Sequence, residues 1–142
     1  MDMRKELIEG LNEDLSYELS AVHQYIYNAS VISGMSRLLL RDFFIEEANE
    51  EKEHAIYLAE KIVSLGGEPV ITAKPFEKNK DVKGMLKSSI QAEIETIERY
   101  KERLEMAEKA NEIELKLKLE DMLADEIKHK EEMERLMSDF VF

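Results

Sequence analysis

Residues 46–55 read EEANEEKEHA, and the fold turns on how Glu51-Lys52-Glu53-His54 within them is read. On a helix, a glutamate and a histidine three residues apart share one face and can ligate one metal ion. A single pair carries little weight, because the chain has 25 glutamates among 142 residues. The other E-x-x-H is Glu126-Ile127-Lys128-His129. Glu51 follows Glu18 by 33 residues, and Glu126 follows Glu93 by the same 33. A shift of 75 maps Glu18 onto Glu93, Tyr25 onto Tyr100, Glu51 onto Glu126 and His54 onto His129. The chain is a faint two-fold repeat whose similarity gathers in ligand-type residues.

Composition is consistent with helices throughout. The chain has no cysteine, which excludes disulfides, zinc–thiolate sites and iron–sulfur clusters. Five glycines and two prolines leave little punctuation, and good helix formers dominate. A net charge of −12 disfavours nucleic acid and anionic membranes, and draws cations to an acidic cleft. No apolar run reaches membrane-spanning length, and the acidic start Met1-Asp2-Met3 lacks a signal-peptide pattern. A soluble cytoplasmic protein of one domain, residues 1–142, is expected.

Leu7, Leu11, Leu15, Val22, Tyr25, Ala29 and Ile32 recur at helical spacing and predict a first helix over about 3–33. A turn at Ser33-Gly34-Met35-Ser36 follows, with Ser36 the expected N-cap of a second helix over about 37–65. Gly66-Gly67 stops it. The stretch EPVITAKPFEKNKD holds both prolines and no helical period. A third helix is expected over about 82–109, with Asp81 as its cap, and after a break at Ala110-Asn111 a fourth over about 112–139. Helices of this size are roughly 40 Å long. The middle stretch can span roughly 50 Å when extended, enough to cross the bundle lengthwise and set helices two and three parallel. The expected fold is all-α: a four-helix bundle with one long crossover.

In that bundle Glu18 and Glu51 lie 16 and 17 residues from Gly34, and Glu93 and Glu126 lie 17 and 16 from Ala110. Across antiparallel turns each pair sits at one height. All four glutamates also fall in the apolar stripes, where unpaired carboxylates would cost many kcal/mol. Chance placement of glutamate at all four positions is on the order of one in a thousand. The chemistry that fits is a dinuclear metal site. Carboxylate oxygens with two imidazoles suit iron, with manganese as the alternative. Two divalent cations neutralise four carboxylates. One Glu from each of two helices with Glu-x-x-His from each of the other two is a known bundle arrangement.

The segments LNEDLSYELSAVHQY (11–25) and EEANEEKEHAIYLAEKIVSLGGEP (46–69) resemble those of the ferritin-like di-iron superfamily, most closely the bacterioferritins. The similarity runs to about Leu136. It implies two iron ions per chain, with Glu18 and Glu93 as terminal ligands, Glu51 and Glu126 as bridges, and His54 and His129 on one iron each. It also implies oxidation of Fe(II) by dioxygen or hydrogen peroxide, as in iron homeostasis and protection from oxidative stress. Three departures stand out. Lys52 occupies the position of the bacterioferritins' haem-ligating methionine, so haem is not expected. The short fifth helix that lines the cage channel in that family has no counterpart before Phe142, which leaves closure into a storage shell open. Tyr25 and Tyr100 resemble the symmetric tyrosine pair of the rubrerythrins. However, Thr96 replaces the additional glutamate of those proteins, and their rubredoxin cysteines are missing. A rubrerythrin-like peroxidase without iron storage is the alternative reading.

Metal-bound imidazoles need a partner for the second ring nitrogen. Asp125 and Glu50, each just before a bridging glutamate, are the candidates, each serving the histidine of the opposite helix. Glu47, one turn before Glu51, is a candidate supporting or entry-site carboxylate or a solvated one. His23 is expected on the surface, and Met122 and Met133 in the core. Leu19, Ile26, Tyr27, Val31, Ile56, Tyr57 and Val63 exceed what one bundle stripe needs, whereas the remaining faces of helices three and four are charged. A two-fold homodimer through helices one and two is therefore expected.

Overall fold

The computed structural model describes residues 2–139. It contains four helices: α1 (Met3–Val31), α2 (Met35–Ser64), α3 (Val82–Lys109) and α4 (Ile113–Asp139). These agree with the expected bounds to within two residues. α1 packs along α2 and α3 along α4, while α1 also lies against α3 and the approach of α2 to α4 is loose. This is the expected bundle with its crossover.

The helix ends follow local chemistry. Asp2 caps α1 by accepting from the Arg4 amide at 2.9 Å, and Asp81 caps α3 through the Gly84 amide at 2.9 Å. Ser36 is not the cap of α2. Gly34 holds that position with φ 74° and no side-chain hydrogen bond, so Ser36 is already inside the helix. Only glycine adopts this conformation readily, which places the boundary two residues early. α2 and α3 end alike. Gly67 N–H donates to Ile62 O at 2.8 Å and Gly66 N–H to Val63 O at 2.9 Å. After α3, Glu112 donates to Ala107 O at 2.9 Å and Asn111 to Glu108 O at 3.1 Å. Both are Schellman caps, with Gly66 (φ 94°) and Asn111 (φ 58°) in the left-handed region.

The crossover is pinned along α1. Asn12 donates to Glu68 O at 3.0 Å and accepts from the Val70 amide at 2.9 Å. Ser16 Oγ donates to Thr72 O at 2.8 Å, and Lys74 N–H to Ser16 O at 3.2 Å. Tyr27 meets Phe76 at 5.9 Å between ring centroids. The extended stretch therefore satisfies its backbone against one helix instead of forming its own secondary structure.

Apolar packing falls into two clusters. Leu7, Leu11, Leu15, Leu58, Ile62, Tyr100, Leu115 and Leu119 form one. Tyr25, Ala29, Leu40, Phe44, Met85, Leu86 and Met133 form the other. Between them lies a polar layer. Met122 and Met133 are buried core residues and His23 is exposed. Among the described residues, no helix is long and apolar enough to cross a membrane.

Candidate metal centre

The polar layer contains the repeated residues. α1 supplies Glu18 and Tyr25, α2 supplies Glu51 and His54, α3 supplies Glu93 and Tyr100, and α4 supplies Glu126 and His129. None of the four glutamates is more than 2% exposed. Nδ1 of His54 lies 3.1 Å from Glu126, 3.8 Å from Glu18 and 3.9 Å from Glu51. Nδ1 of His129 lies 3.2 Å from Glu51 and 3.7 Å from both Glu93 and Glu126. Glu51 and Glu126 thus approach both imidazoles, whereas Glu18 pairs with His54 and Glu93 with His129. Glu18, Glu51, His54 and Glu126 form one cluster able to hold an ion, and Glu51, Glu93, Glu126 and His129 form a second.

The outward nitrogens are engaged across the bundle. Nε2 of His54 lies 3.0 Å from Asp125, and Nε2 of His129 hydrogen-bonds Glu50. Each carboxylate comes from the opposite helix and fixes which ring nitrogen faces inward. The tyrosines cross over too. Tyr25 OH donates to Glu93 at 2.9 Å, and Tyr100 OH donates to Glu18. A tyrosine on α1 thereby orients the α3 carboxylate, and one on α3 orients the α1 carboxylate.

Electrostatics in the protein without metal follow from crowding. Burial pushes Glu51 and Glu126 well above the usual carboxylate range, and the neighbouring glutamates push them further. Burial would also raise Glu18, but the adjacent Glu51 and His54 and the Tyr100 hydroxyl hold it below its ordinary value. Burial works to lower the two histidines. Glu18 outweighs it at His54, held up at about 10, and Glu51 and Glu93 do so at His129, at about 11. Burial and the surrounding carboxylates raise both tyrosines, so the phenols stay protonated.

The inward atoms fit a metal pair. Glu18 Oε2, Glu51 Oε1, Glu93 Oε2, both oxygens of Glu126 and both Nδ1 atoms are buried without a hydrogen-bond partner. Such atoms are costly unless something else occupies their lone pairs. Hard oxygen donors with imidazole match iron or manganese.

Further polar residues lie beside this layer: Glu47, a candidate from its spacing, and Asp14 and Arg103, which the helical pattern does not single out. Glu47 is buried, and its Oε2 lies 3.0 Å from Nδ1 of His129. Burial, only partly offset by His129, holds the Glu47 carboxyl up at about 7. Asp14 and Arg103 form a buried ion pair through contacts of 2.8 and 3.0 Å. A Cβ on Gly10 would meet Arg103 Nη1 at 2.2 Å, so only glycine leaves room for this guanidinium. Burial, only partly offset by Arg103, holds Asp14 up at about 6. Near the other tyrosine, Asn28 Nδ2 donates to Ser89 Oγ at 3.2 Å. The 75-residue shift relates the two pairs, matching Asp14 with Ser89 and Arg103 with Asn28. Thr96 is buried and accepts from Arg99 at 2.8 Å. Lys52 is exposed.

Two approaches reach the layer. A groove between α2 and α4, lined by Glu50, Glu53, Asp121 and Asp125 among others, ends on His54. A cavity of about 180 Å³ under the crossover, lined by Tyr17, Gln24, Phe76, Thr96 and Arg99, ends on Tyr25 and Glu93.

A family model described as a ferritin-like domain matches residues 8–141. A bacterioferritin of Brucella melitensis is 32% identical over 127 residues, covering 87% of this chain and 78% of that protein. The crystal structure of a ferritin-like di-iron-carboxylate protein from Bacillus anthracis superposes with a TM-score of 0.93 at 49% identity, over 96% of this chain and 98% of that one. A dodecameric, bacterioferritin-related thioferritin from Bacteroides fragilis superposes at 0.87 with 27% identity, covering 98% and 88%. From its bundle, its repeated Glu and Glu-x-x-His positions and these relatives, the chain belongs to the ferritin-like family and stands close to the bacterioferritins.

Proposed function

We propose that this protein binds two iron ions per chain in the polar layer and oxidises Fe(II) with dioxygen or hydrogen peroxide. The observation that carries the reading is the set of seven buried, inward-facing donor atoms on the six repeated residues, none with a hydrogen-bond partner. Glu18 and His54 would hold one ion and Glu93 and His129 the other, with Glu51 and Glu126, which approach both imidazoles, shared between them. Four carboxylates balance two divalent cations, which offsets the burial and mutual repulsion that raise Glu51 and Glu126 in the metal-free protein. Bound Fe(II) would supply one electron per ion, so the two positions together would provide the two electrons that, with two protons, reduce dioxygen to peroxide or peroxide to two waters.

The protein's own residues bind, orient and admit. Asp125 and Glu50 hold the imidazoles with Nδ1 inward. Tyr25 and Tyr100 orient the terminal carboxylates. The acidic α2–α4 groove suits cation entry, because like-signed walls concentrate the opposite ion. The cavity under the crossover suits a small neutral oxidant. Anaerobic metal analysis followed by stopped-flow mixing with dioxygen and with peroxide tests the reading. Two irons per chain and rapid oxidation are expected, and a protein that binds no iron sinks it. Oxidation that produces no mineral core would favour the peroxidase alternative.

Assembly through the first hairpin belongs to the same reading. Ile26, Ile56 and Val63 are 47%, 45% and 59% exposed, and Leu38 and Leu39 of α2 are exposed as well. Tyr27 is turned to the crossover instead, and Tyr57 donates to Glu114 of α4 at 2.7 Å. Leu19 and Val31 pack partly on the clusters. α4 is less uniformly charged than its sequence suggests, because Ile113 and Leu117 are exposed. Joint substitution of Ile26 and Ile56 by glutamate should yield monomers of unchanged melting temperature. Unchanged native mass would exclude the dimer.

A further inference from the structure

The inner donors obey the internal repeat, but the turn just before them on α2 and α4 does not. The 75-residue shift pairs Glu47 with Met122. Both are buried, at 7% and 1% exposure. Glu47 Oε2 and His129 Nδ1 are 3.0 Å apart, and neither has a hydrogen-bond partner. Glu47, Glu50 and His129 offer ligand atoms within 4.8 Å of one another. On the other side, Met122 shares the lining of the α2–α4 groove with His54. A thioether is a soft, weak donor and not a ligand for a hard cation.

We propose that the two metal positions are inequivalent, with Glu47 a further carboxylate ligand at the position served by Glu93 and His129. This rests on the dinuclear reading above. Nδ1 of His129 is the ring atom free to meet an ion there, since Nε2 already has Glu50. Glu47 is buried against that same atom with its Oε2 unpartnered, and a buried carboxylate oxygen is expensive unless something occupies its lone pairs, as an ion shared with His129 would. The position served by Glu18 and His54 has no such extra charge. The His129 side should therefore take a divalent cation first and release it last.

Stepwise binding alone would prove nothing, since two adjacent cations repel each other. The test is whether the steps depend on Glu47. Anaerobic titration with Co(II), followed by calorimetry and visible absorption, reads both steps without turnover. In the wild type two steps are expected. Glu47→Met, which copies the other half, should weaken the tighter step tenfold or more and leave the weaker within twofold. Met122→Glu should strengthen the weaker step, and His129→Ala should lose the tighter one while His54→Ala keeps it. Circular dichroism checks that each variant is folded. If Glu47→Met and Glu47→Gln both leave two steps within twofold of wild type, Glu47 is only a counter-ion of His129 and the inference is wrong. A wild-type protein that takes no Co(II), or only one ion, overturns the dinuclear reading and this inference together.

Discussion

The two ends of the polar layer share the repeated donors but differ in their supports. Around Tyr100 and Glu18 a buried charge pair, Asp14–Arg103, ties α1 to α3. Around Tyr25 and Glu93 the corresponding positions are Ser89 and Asn28, joined by one neutral hydrogen bond of 3.2 Å. Even the space differs. Gly10 makes room for the guanidinium, and its counterpart is the fully buried Met85. A repeat can drift wherever packing has alternative solutions, whether a charged pair with a glycine or a neutral pair with a methionine. It is held fixed where four carboxylates and two imidazoles must meet at one level.

The comparison breaks first at the shared residues. Glu51→Ala or Glu126→Ala removes a group that approaches both imidazoles, so each should abolish binding of the second ion. Metal analysis after dialysis checks this, and full binding of two irons by both variants would refute the shared role. These variants should also lose most of the stabilisation that metal gives, about 4 kcal/mol at a thousandfold excess over the dissociation constant.

The supports should then separate the ends. Asp14→Ala leaves Arg103 buried and unpaired and should cost about 3–5 kcal/mol in denaturant unfolding. Ser89→Ala breaks a neutral bond and should cost about 1 kcal/mol. Equal losses would mean that the charge pair is no more important than its neutral counterpart. Joint Asp14→Ser and Arg103→Asn should recover part of the loss, because no unpaired charge remains.

A pH series on metal-free protein sharpens the contrast between empty and filled layers. His54 and His129 are held at about 10 and 11, above the ordinary 6.5. The stability they contribute is complete below about 6.5 and is lost as the pH rises through those values. Glu47, raised from 4.5 to about 7, acts with the same sign, contributing below 4.5 and losing that contribution through pH 7. The melting temperature of metal-free protein should therefore fall from pH 5 to pH 10. The increment from added Mn(II) should grow over the same range, because metal competes with those protons. A flat profile would contradict this crowding.

The smallest effects test the symmetric part. Tyr25→Phe and Tyr100→Phe each remove one hydrogen bond to a ligand carboxylate, worth about 1.5 kcal/mol. Similar losses in thermal melts would indicate that the two phenols are equivalent. A loss confined to Tyr100 would extend the inequivalence into the inner shell.

Much of this was legible in the sequence for a physical reason. Helix spacing fixes which side chains share a face, and the caps at Asp81, Gly66-Gly67 and Asn111 are local backbone chemistry. Equal distances from each turn put the four glutamates at one height, so the six residues could be picked out from spacing, and the resemblance then pointed to Asp125 and Glu50 as candidate partners of the histidines. Tertiary structure decided what local rules cannot see. Ser36 gave way to Gly34 because the turn needs a left-handed residue. Tyr27 and Tyr57 have apolar bodies that any neighbour can cover, and only the packed bundle assigns them to the crossover and to α4. Asp14 and Arg103 look like ordinary surface charges in a chain so rich in them, and spacing leaves open whether Glu47 is buried or solvated. Their burial depends on partners 89 and 82 residues away, Asp14 with Arg103 and Glu47 with His129. Such long-range pairing is set by how the two hairpins dock, and sequence spacing within one helix carries no information about it.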